Sequence, residues 1–123
     1  MKRDLDLVRA ILIWIEGRPE GHNVNWRIAI DGFTDEQISY HVHLMGQAGL
    51  LVTTSMTSLD PRSPSAVAIS MTWAGHEFLS AARDDTLWAK AKTKVIGPAG
   101  SAVFTVLLDW LKAEAKTYLG LGP

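Results

Sequence analysis

Hydrophobic positions recur with regular spacing along much of this chain, and each change of period predicts a new element. Leu5, Val8, Ile11, Leu12 and Ile15 fall at helical intervals behind Asp4, a candidate N-cap, and Gly17 with Pro19 and Gly21 ends the run. Trp14 lies beside this stripe and reads as a core or interface residue. Over residues 25–30 the period shortens to two, with Trp26, Ile28 and Ile30 on one side and Arg27 and Ala29 on the other, which predicts a short strand closed by Asp31-Gly32. Thr34 then opens a second helix, with Gln37 at the position where a capping box wants Glu or Gln. On its helical wheel Ile38, Val42, Met45 and Gly49 share a face with His41 and Ala48 beside them, leaving Glu36, Tyr40, His43 and Gln47 outward.

Two strands are expected next, over 50–57 and 67–73, joined by SLDPRSPSA, whose two prolines and Arg62 suit an exposed loop. Together they read as a wing. Residues 74–83 and 85–95 follow as two helices or one with a bend, Asp85 being the expected cap of the second, and IGPAG breaks the chain. Ser101 is positioned to cap a last helix in which Val103, Val106, Leu107, Trp110, Ala113 and Tyr118 form a broad apolar face. The predicted class is α+β: a winged-helix-like domain, helices plus a small antiparallel sheet, with additional C-terminal helices. All 123 residues form one domain in this reading, a core over 1–83 and a helical extension over 84–123. No separate helix is predicted between the first strand and the Thr34 helix, where typical helix-turn-helix domains carry one that orients the reading helix.

Composition narrows the function classes. A net charge of −1 gives no global attraction to polyanions, so DNA binding would need a local patch. The absence of cysteine excludes disulfides and thiolate zinc sites, and the charged start suits a cytoplasmic protein with neither signal sequence nor membrane span. His41 and His43, two apart on a helix, project about 200° from one another and cannot share a metal there, while His22 and His76 lie elsewhere. No metal or cofactor is expected, and His41 reads as a core-edge residue bonded to backbone. Asp84 and Asp85 diverge by about 100° on a helix, and IGPAG lacks a P-loop lysine, so an enzyme is not indicated. Lys90, Lys92 and Lys94 spread around a helix and read as a solvated face.

The segments MKRDLDLVRAIL, ISYHVHLMGQAGLL and MTWAGHEFLSAARDDTLWAKAK, in this order, resemble a family of small uncharacterised bacterial, phage and prophage proteins over nearly the whole chain. YHVHLMGQAGLL is also similar to the recognition-helix region of winged-helix repressors. The resemblance implies the fold and a phage or prophage setting, and supplies no catalytic residues.

Two functions compete. In a duplex-DNA-binding regulator, Ser39, Tyr40, His43 and Gln47 would meet base edges and Lys2, Arg3, Arg27 and Arg62 would meet phosphates. The Thr34 helix itself holds no Lys or Arg, which favours the alternative: a protein-interaction module, an adaptor or inhibitor on the same scaffold. Trp73, Trp88 and Trp110 lie beyond the wing, where such a core is usually complete. A homodimer through Trp88, Val103, Leu107 and Trp110 is therefore expected.

Overall fold

In the computed structural model, residues 1–18, 27–55, 65–97 and 104–118 are described. Helix α1 (Leu5–Glu16) begins where Asp4 Oδ1 accepts from the Asp6 and Leu7 amides, and it buries Leu5, Leu7, Val8, Ile11 and Leu12. Helix α2 (Asp35–Gln47) carries the full capping box: Thr34 accepts from the Gln37 amide and the Gln37 side chain accepts from the Thr34 amide. Its other end is a Schellman motif. The Gly49 amide donates to Gly46 O and the Leu50 amide to Met45 O, with Gly49 at φ 78°, a left-handed conformation that glycine adopts without penalty.

Strands β1 (Leu51–Ser55) and β2 (Ala66–Met71) form an antiparallel hairpin with a register shift between Val52 and Thr53. Helix α2 lies against this hairpin, where Gly46 faces Thr53 so closely that a Cβ would collide with the hydroxyl. Thr72 joins the hairpin to helix α3 (Trp73–Ala82). Its hydroxyl donates to Gly49 O at 2.5 Å and accepts from the Gly75 amide, while its own amide donates to Leu50 O. Gly75 sits against the Leu50 carbonyl with no room for a Cβ, so α3 packs directly on the turn that ends α2.

Helix α4 (Asp85–Ala91) is capped by Asp84, whose carboxylate accepts from the Leu87 amide, one residue earlier than the expected Asp85. Asp85 instead meets Arg9 of α1 at 2.7 Å, and the same guanidinium donates to Ala82 O and Arg83 O at the end of α3. One cation thus satisfies carbonyls that a helix end leaves without partners and ties α1, α3 and α4 together. A π-helical turn, Lys92–Ile96, follows, closed by a Gly97 amide donating to Lys92 O at 2.8 Å. The wider turn suits the five-residue step between buried Ala91 and buried Ile96, where an α-helix would turn one of the two away.

Helix α5 (Phe104–Tyr118) completes the fold, and the architecture is the α+β, winged-helix-like order expected. One buried cluster runs from Leu5 to Leu111, so α4 and α5 share the core of the winged part. Three further expectations need correction. Residues 27–30 form no strand: Ile28 is buried and Ile30 packs on the cluster, but the only sheet among the described residues is the two-stranded hairpin. Alternation there marks which side chains face the core, not a strand neighbour. Strand β2 ends at Met71, because Thr72 caps α3 and makes Trp73 helical. The buried face of α5 is set by Leu107 and Leu111 with Phe104 and Leu108 against the core, leaving Val106 and Ala113 exposed; Val103, Ser101 and His22 lie outside the described residues.

The Asp6 carboxylate links the first helix to the last third of the chain. It accepts from the Trp88 indole at 2.6 Å and pairs with Lys92 at 2.9 Å, with Arg9 over the Trp88 ring. Burial raises its pKa, but the Trp88 and Lys92 hydrogen bonds and the charges of Lys92 and Arg9 outweigh that and hold it below the usual aspartate value. A carboxyl depressed on folding contributes stability above its unfolded value, about pH 4, that is lost as pH falls through the folded value. Urea midpoints measured across a pH series should therefore place Asp6→Asn below the parent at pH 7, the difference closing at strongly acid pH. His41→Ala removes a buried ring with two hydrogen bonds, and the same denaturation assay should show a loss of about 2 to 4 kcal/mol.

Candidate nucleic-acid interface

Polar side chains of α2 divide into two sets. Thr34 and Gln37 close its N-terminus, and His41, 2% exposed, is locked on its inner side. The Asp4 amide donates to His41 Nε2 at 2.8 Å, so the proton must sit on Nδ1, which donates to Gln37 O at 2.8 Å. That is the backbone-bonded, core-edge histidine the sequence predicts.

Ser39, Tyr40, His43 and Gln47 form the second set. Their side-chain polar atoms make no hydrogen bond among the described residues. Tyr40 and His43 are half-buried and stack at 6.4 Å with 28° between their planes, and Gln47 is exposed. Glu36, Tyr40, His43 and Gln47 line the side of α2 opposite Ile38, Val42 and Met45, with Ser39 toward the flank that meets β1. The result is a short polar strip with two aromatic rings at its centre. Such a surface can exchange hydrogen bonds with base edges or with a protein backbone.

The candidate phosphate contacts are distributed unevenly around this strip. Lys2 and Arg3 are exposed and border a hollow of about 280 Å³ with Phe33, Gln37 and His41. Arg3 also borders a second hollow with Leu44, Gln47 and Phe104, so it flanks α2 toward both ends. Arg27 is exposed but ion-paired with Asp35 in the first turn of α2, beside exposed Glu36. Those carboxylates favour the helix N-terminus and oppose a phosphate there. Arg62 lies outside the described residues.

The expected dimer residues are placed differently from the sequence reading. Trp88 and Leu107 are buried in the chain's own core, Trp88 against Phe78 and bonded to Asp6, so neither is available to a partner. Apolar residues at the end of a small domain suggested an interface, yet α4 and α5 pack on α3 and on each other and use them internally. Trp110 is half-buried and packs on that core, and Val103 is outside the described residues.

Sequence reasoning missed two features. Arg9 gives no signal of its junction role, because its three acceptors lie more than 70 positions away. Trp73 is 81% exposed, its indole donating to Glu77 at 2.6 Å, and a reading of Thr72 as a helix cap would have turned it outward. Among the described residues no helix is long and apolar enough to cross a membrane.

No solved structure matches this chain. An uncharacterised protein of Haemophilus influenzae is 35% identical over 119 residues, covering 97% of this chain and 96% of that relative. Residues 2–101 match the hypothetical-protein family designated DUF2513, a span that includes α1, α2, the hairpin, α3, α4 and the π turn. With that span and that relative in agreement, the chain belongs to the DUF2513 family of hypothetical proteins.

Proposed function

We propose that this protein is a small winged-helix DNA-binding protein, a transcriptional regulator in the phage or prophage setting its sequence resemblance implies. The observation that carries the reading is the division of labour on α2. Its inner polar groups are committed to the fold, whereas Tyr40, His43 and Gln47 form an outward strip with unbonded polar atoms, followed by an antiparallel hairpin. In this reading α2 enters the major groove, Gln47 pairs with a base edge, and Lys2 and Arg3 contact phosphates beside the helix. Arg27 is offset by Asp35, so the electrostatic hold is small.

A second reading has its own support: a protein-interaction module without DNA binding. The acidic first turn of α2, where Asp35 and Glu36 are exposed, favours a protein ligand over a phosphate backbone. A nuclease-insensitive, stoichiometric host protein recovered on the immobilised chain would favour this reading.

Fluorescence anisotropy with duplex DNA at several salt concentrations tests the first reading. The parent should bind, more weakly as salt rises. Gln47→Ala should cost about 1 to 3 kcal/mol at one base position and little on random duplex. The double change Lys2→Ala, Arg3→Ala should weaken all duplexes alike and flatten the slope of log K against log salt by roughly 0.9 per lost contact. A parent chain that ignores DNA at low salt contradicts the reading, and so do equal losses on every duplex for both variants.

A further inference from the structure

Trp73 is the most exposed large apolar side chain among the described residues, at 81%, and it stands at one end of a groove of about 560 Å³ between α3 and α5. We infer that this groove is a self-association surface whose occupant is the same surface of a second copy of this chain. The inference goes beyond the proposed function and does not depend on it.

The charge pattern selects the occupant. On the α3 wall Glu77 carries a carboxylate, and on the α5 wall Lys112 and Lys116 carry ammonium groups. Lys112 approaches Glu77 at only 3.6 Å, and Lys116 has no ion-pair partner among the described residues. An acidic ligand would meet Glu77 and a basic one would meet the lysines. A two-fold partner satisfies both walls, because rotation brings one copy's α3 over the other's α5 and sets each Glu77 against the opposite lysines. Ala81 and Ala115 are among its lining residues, and their small side chains let a second helix approach closely. The indole, already oriented by its 2.6 Å bond to Glu77, supplies a rigid apolar anchor near that charge pair. Trp residues bury about 150 to 250 Å² each, so two indoles provide a large share of the apolar core of a standard interface near 1,600 Å².

This surface replaces the one expected from sequence, since Trp88 and Leu107 are internal. It lies on α3 and α5, apart from the α2 strip.

Sedimentation velocity on the full chain over a wide concentration range, without nucleic acid, tests the inference. The parent should show a reversible monomer–dimer equilibrium, and Trp73→Ala should weaken it roughly thirtyfold. Glu77→Lys alone, and the pair Lys112→Glu with Lys116→Glu alone, should each be monomeric, while mixing the two variants should restore a heterodimer. Restoration on mixing cannot come from loss of folding in either variant. A parent that stays monomeric, or a dimer indifferent to Trp73→Ala and to the charge exchanges, overturns the inference. A dimer through this groove that ignores DNA fails only the regulator reading, and a monomer that binds DNA fails only this one.

Discussion

The buried imidazole of His41 fixes how the first two helices meet, and the outward face of α2 takes its direction from that contact. Its ring is held on one side by the carbonyl of Gln37, within α2, and on the other by the amide of Asp4, the cap of α1. A hydrogen-bonding ring in a nearly water-free position is costly to leave unpaired, so the two bonds define one helix arrangement and penalise slippage. With the inner side locked, and the far end closed by Gly49 and pressed on Thr53 through Gly46, α2 cannot rotate without breaking several contacts. Tyr40, His43 and Gln47 therefore face outward from a rigid support. A recognition surface benefits from this rigidity, because less ordering is left to occur on binding.

Contacts from the C-terminal third to α1 give the structure a second tie. Arg9 joins α1 to the α3–α4 junction, and Asp6 joins it to Trp88 and Lys92. These are polar contacts at the margin of an apolar cluster that already includes Phe78, Trp88, Leu107 and Leu111. The helices beyond the wing thus complete the core and leave Trp73 the most exposed large apolar side chain among the described residues.

Much of this was legible in the sequence where local chemistry decides the outcome. Asp4 and the Thr34–Gln37 box announced their helix starts, and the 3.6-residue spacing placed Ile38, Val42 and Met45 inward, whereas Gly49, read as part of that face, stands exposed past the helix end in a left-handed turn. Errors arose where two signals competed or a distant partner decided. The alternation over 25–30 matched a strand, yet residues 27–30 pair with no strand among the described residues. In α5, Val106 and Leu107, like Trp110 and Leu111, are adjacent apolar residues, and only packing on α3 and α4 decides which of each pair is buried. For the candidate site, the outward residues of α2 were predictable from the wheel, and the Arg27–Asp35 pair was not, because its eight-residue separation crosses a loop.

Chemical-shift mapping examines whether the outward polar strip of α2 meets DNA, as proposed. An isotope-labelled chain is titrated with short duplex DNA and the backbone amides are followed one by one. Binding through the strip should concentrate shifts at Tyr40, His43, Gln47 and the Lys2–Arg3 segment, with the buried residues Val42 and Met45 moving less and the Trp73 region unchanged. Shifts confined to α3 and α5, or none at a DNA excess in low salt, would contradict it.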